Sequence, residues 1–118
     1  MWVMLNKSFL SIVDPDADYH GRGGPVGEKL LVRARLPGDI EAVFHGAAVK
    51  ETPERDYRFR SLIDRAEVAR AMAAEVQGIH YSNFKGSVKD HDRHDAYADV
   101  WGIMYRLQNW AKKLKRAR

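Results

Sequence analysis

Cysteine is absent from the 118 residues. That excludes disulfides, thiolate metal sites and a cysteine nucleophile. Also missing is any run near the roughly 18–20 consecutive apolar residues that a membrane-spanning helix requires. The apolar opening, residues 1–5, stops at Asn6 and Lys7 and has no basic segment ahead of it, so it does not read as a secretory leader. The expectation is a soluble, cytoplasmic protein with no membrane partner. No HExxH pair, no nucleophile elbow and no Walker-type glycine loop occurs. Asp14, Asp16 and Asp18 have the first three spacings of a calcium loop. Tyr19 and Pro25 then stand where that loop needs glycine and glutamate, and the match fails.

What is present fits one domain over residues 1–118, with 45% apolar and 31% charged residues. Lysine plus arginine number 20 against 16 acidic residues, a net charge of +4. Residues 106–118 hold six basic residues and no acid, leaving 14 basic and 16 acidic in the rest. The pI near 9.5 therefore belongs to a basic helical tail, and the body is slightly acidic.

Two short apolar runs around Asn6-Lys7 predict a β-hairpin. Residues 14–28, dense in glycine, proline and aspartate, predict a flexible loop. Residues 29–36 predict a third strand. Ile40, Val43 and Phe44 fall at helical spacing after Pro37 and predict a short helix. Residues 47–52 and 57–63 predict two more strands. Asp64 with Glu67 reads as a capping box ahead of a helix whose apolar line is Val68, Met72, Val76 and Ile79. A long helix is expected from about residue 90 to 114, with a stripe that includes His94, Tyr97, Trp101, Met104 and Leu114. The order β-β-β-α-β-β-α-α predicts an α+β fold. Its antiparallel sheet of about five strands carries helices on one face, and the other face meets water.

Strand alternation supplies the principal candidate site. Arg33 and Arg35 share one face of the third strand, and Arg58 and Arg60 one face of the fifth. If those strands are neighbours, four guanidiniums gather on the open sheet face, a surface suited to phosphate or carboxylate. Lys112, Lys113, Lys115, Arg116 and Arg118 form a second basic patch in the tail. The expectation is a non-enzymatic module, without a cofactor, that docks on a nucleic acid or on an acidic, nucleic-acid-handling protein. The alternative is a small metal-dependent hydrolase or nuclease centred on His91, His94 and Asp95, which lie one helical turn apart or adjacent. A third reading is a homodimer that buries an apolar patch around Trp2 or Trp110.

Several strings carry a resemblance: Ser8-Phe9-Leu10-Ser11-Ile12-Val13, Leu31-Val32-Arg33-Ala34-Arg35, Pro37-Gly38-Asp39-Ile40, Asn83-Phe84-Lys85 with Ser87-Val88, and His94-Asp95-Ala96-Tyr97 with Trp101. Together they resemble a set of small bacterial and prophage-type proteins over most of residues 1–107. That set has no established activity, so it assigns no catalytic residue. The resemblance implies a phage or mobile-element accessory protein, a class that includes anti-CRISPR-like inhibitors of bacterial defence complexes.

Overall fold

The computed structural model describes residues 1–15 and 27–117. Most of the glycine-rich loop expected at 14–28 lies outside the described residues, as does Arg118. The chain divides into two compact units, Met1–His80 and Tyr81–Arg118, and each is described by itself.

The first unit is an antiparallel five-stranded sheet. Its strands are β1 (Trp2–Met4), β2 (Phe9–Val13), β3 (Lys29–Ala34), β4 (Lys50–Glu51) and β5 (Phe59–Asp64), in the order β1-β2-β3-β5-β4. The hairpin expected around Asn6-Lys7 forms. Its turn is closed by the Leu5 amide donating to the Ser8 carbonyl at 2.8 Å. Alternation sends Leu10, Ile12, Val32, Ala34 and Ile63 to one face, where they join Ile40, Phe44 and Val68 in a single core. Helix α1 (Arg65–Gln77) covers that face with Val68, Ala71 and Met72. Burying Val68 contributes roughly 1.5–3 kcal/mol.

Three expectations change in detail. Residues 38–44 form overlapping helical turns and not a continuous helix. The Ala42 amide donates to the Gly38 carbonyl at 2.9 Å and the Phe44 amide to the Ile40 carbonyl at 2.8 Å. Gly38 has φ of +86°, a left-handed conformation that suits glycine at the start of this tight segment. Buried Asp39 then ties the segment to β2: the Phe9 amide donates to its carboxylate at 3.0 Å, and the Ser8 hydroxyl to its carbonyl at 2.7 Å. The fourth strand shrinks to Lys50–Glu51: residues 47–49 are not in the ladder, and at the other end Thr52 turns inward. Its amide donates to the Arg58 carbonyl at 2.6 Å, and its hydroxyl reaches the Tyr57 and Arg58 carbonyls at 3.2 Å. Finally, the Asp64 side chain does not cap α1. It accepts from Lys29 Nζ at 2.9 Å across the β3–β5 pair.

The apolar line of α1 packs only over its first two turns. Val76 and Ile79 are exposed, and Gly78 closes the helix with its amide donating to the Ala74 carbonyl at 3.0 Å. Arg65 fastens the two flanks of the loop: its Nε donates to the Gly27 carbonyl at 2.9 Å and its Nη2 lies 3.4 Å from the Asp14 carboxylate.

The second unit holds α2 (Phe84–Ser87) and the long α3 (His91–Ala117). Asp90 starts α3 by accepting from the Arg93 amide at 2.9 Å, the N-terminal role expected of an aspartate there. Phe84 stacks on buried Tyr97 with ring centroids 5.7 Å apart, and Lys85 Nζ lies 4.2 Å over the Trp101 ring.

Candidate functional site

The sheet face opposite the core carries one row of side chains across all five strands. Register places Trp2 opposite Ser11, Ser11 opposite Arg33, Arg33 opposite Arg60, and Arg60 opposite Lys50. Residues directly opposite each other share a face. At about 4.8 Å per strand the row is about 19 Å long. Trp2, at its start, is 73% exposed and meets the Phe9 ring edge-on at 5.9 Å. Beside it runs an apolar row, Val13–Leu31–Leu62, on the same face.

The middle of the row is tightly built. Arg33 Nη2 donates to Ser11 Oγ at 2.7 Å, and Ser11 is buried beneath it. The Arg33 and Arg35 guanidiniums lie 4.5 and 4.2 Å from the centroid of the buried Tyr57 ring. Arg35 Nη1 also donates to the Asp56 carbonyl at 2.9 Å, and Arg60 Nη2 lies 3.4 Å from the Asp56 carboxylate. The Nε atoms of Arg33 and Arg60 are both buried and have no hydrogen-bond partner among the described residues. Burial first, then the Arg33 and Arg55 charges, holds Arg60 below the ordinary arginine value, with Asp56 and Glu54 acting in the opposite direction.

Of the four strand arginines expected to converge, Arg33, Arg35 and Arg60 meet around Tyr57 and Asp56. Arg58 precedes β5, is exposed, and pairs with Glu51 at 2.8 Å. Tyr57 joins the arginine side for the same reason. The chain reaches regular alternation only at Phe59, so the parity counted from residue 57 does not hold. Sequence reasoning also missed Trp2, Ser11 and Lys50 as members of the row. The alternation of β1 and β2 was readable, but only the cross-strand register puts these residues in line.

The other candidates lie in the second unit. Lys112, Lys113 and Lys115 are exposed on the last turns of α3; the Arg116 side chain and Arg118 lie outside what is described. His91 Nδ1 is 3.5 Å from one Asp95 oxygen and His94 Nδ1 is 3.7 Å from the other. His91 and Asp95 are exposed. No group of three histidine or acidic side chains suited to holding a metal ion is found among the described residues. No helix among them is long and apolar enough to cross a membrane. Comparison with protein-family models, curated proteins and solved structures finds no match to this chain, so the prophage-type resemblance rests on the quoted strings alone.

Proposed function

We propose that this protein is a non-enzymatic binding module that docks single-stranded nucleic acid across its open sheet face. The observation that carries this reading is the row Trp2–Ser11–Arg33–Arg60–Lys50. Sequence-tolerant binding of single strands needs a cationic track for the backbone and an aromatic surface on which a base can stack. The row supplies both. Two arginines held side by side with incomplete neutralisation favour an incoming phosphate more than paired surface charges do. The exposed lysines of the α3 tail form a separate basic region. The inhibitor role implied by the prophage-type resemblance is a narrower version of the proposal, in which an acidic surface of a nucleic-acid-handling complex replaces the phosphates.

The test is fluorescence anisotropy with a labelled oligonucleotide at several salt concentrations. Three phosphate contacts on a single strand predict a slope of log K against log salt of about −2. Arg33→Glu with Arg60→Glu should remove most binding. Arg58→Gln should leave it near the native level, because that guanidinium is already paired with Glu51. Unchanged affinity in the double variant would remove the basis of the proposal.

A further inference from the structure

We propose that α3 pairs with α3 of a second copy of this chain as an antiparallel coiled coil. Tyr97, Val100, Met104, Leu107, Ala111 and Leu114 recur at alternating spacings of three and four residues. That is the seam of a heptad repeat. Over residues 97–114 it is about 26 Å long. Helix α2 covers only its first turn, where Phe84 stacks on Tyr97. Beyond that turn the seam is open: Met104 is 55%, Leu107 51% and Leu114 45% exposed. Ile103 and Trp110 widen the apolar band and are themselves 54% and 59% exposed. The apolar surface so displayed is on the order of 700 Å² per copy, close to the roughly 800 Å² per partner of a stable interface. A helix displaying that much apolar surface to water marks a contact face.

Charge selects the occupant and its direction. Residues 91–105 carry three aspartates and one arginine, whereas residues 106–117 carry five basic residues and no acid. A parallel pair would set the two basic halves side by side. An antiparallel pair sets each basic half along the partner's acidic half. Most of these charges lie on the outer heptad positions, so they choose the orientation through the summed field of each half and not through individual ion pairs. In that arrangement Tyr97 meets the partner's Leu114, Val100 the partner's Ala111, and Met104 the partner's Leu107. Ile103 then flanks the partner's Trp110. A copy of the same helix thus satisfies the apolar seam and the charge asymmetry together.

Light scattering on the full chain at micromolar concentration should give twice the 13.5 kDa chain mass. Leu107→Glu, with helix content retained by circular dichroism, should be monomeric. Its dimer dissociation constant should rise more than about 100-fold, since each of two copies loses a buried leucine and gains a charge at the seam. Orientation is read by cross-linking, for which the native chain has no interfering cysteine. Val100→Cys mixed with Ala111→Cys should form a disulfide, and neither variant should do so alone. A native chain of monomer mass, a folded Leu107→Glu that stays dimeric, or self-cross-linking of each single variant would overturn the proposal.

Discussion

Replacing Arg60 with methionine should stabilise the sheet while weakening anion binding. Arg60 stands directly opposite Arg33, its side chain is 16% exposed, and its Nε is buried without a partner among the described residues. Like charges directly opposite on antiparallel strands cost up to about 1 kcal/mol. A buried, unsatisfied N–H adds about 1–3 kcal/mol. Against this stands the 3.4 Å contact to Asp56, whose carboxylate is largely exposed; such pairs contribute less than about 1 kcal/mol. Methionine keeps much of the apolar stem, so little packing is lost. The net expectation is a gain of about 1 kcal/mol, or a rise in Tm of about 4–8 °C for a unit of this size. The gain should not vary with pH near neutrality. The folded value of Arg60 lies below its unfolded one, so folding disfavours the charged form. That penalty is complete at neutral pH and lifts only as pH rises through the depressed folded value. Denaturant unfolding at low salt measures the difference, provided the slope m is unchanged. Polyphosphate should then stabilise the native chain by about 2.7 kcal/mol at a hundredfold excess over Kd, and the variant by less. A variant less stable than the native chain by 1 kcal/mol or more, at equal m, would refute the reasoning by showing that the arginine pair serves the fold.

Two further outcomes follow from the same sheet. Asp39→Ala should lower stability by about 1–3 kcal/mol, because the Phe9 amide loses its acceptor and the residue 38–44 turns lose their tie to β2; an unchanged denaturation midpoint would contradict that role. Lys29 is held above its usual value of 10.5 by the hydrogen bond to Asp64 and then by that carboxylate's charge. Its contribution is therefore whole below the unfolded value and is lost as pH rises through the raised folded one. Asp64→Asn should flatten the alkaline limb of a Tm-against-pH profile, and identical limbs in the two proteins would exclude the effect.

The strands and both longer helices were legible because their signals are local. Alternation in Phe9–Val13 and the alanine-rich run after Asp64 depend on neighbours within a few residues. What was not legible depends on register. Nothing in the sequence around Trp2 or Lys50 says that either stands in line with Arg33 and Arg60. That alignment emerges only when four separate antiparallel pairings are fixed together. The capping box failed for a related reason. Asp64 sits opposite Lys29 in the β3–β5 pair, and a cross-strand ammonium competes with the helix amides for the same carboxylate.

The stripe on α3 separates two meanings of helical periodicity. Its spacing marks one apolar side, and from Val100 onward the large apolar side chains on α3 are exposed. Periodicity of 3.6 shows that one side of a helix is apolar; it does not show against what that side is buried. The alternation of three and four residues, sustained from Tyr97 to Leu114, is the narrower signal, and it points to a partner helix. This bears on the two basic regions differently. Of the two arginines at the middle of the sheet row, Arg60 has one long contact to the largely exposed Asp56 carboxylate and Arg33 donates to a serine hydroxyl, so an approaching phosphate meets charge that the fold has only partly neutralised. The lysines of the tail, in an antiparallel pair, lie beside aspartates of the other copy and lose part of their field. Neutralising Lys112 and Lys113 should therefore alter helix pairing more than the salt dependence of oligonucleotide binding, and neutralising Arg33 should do the reverse.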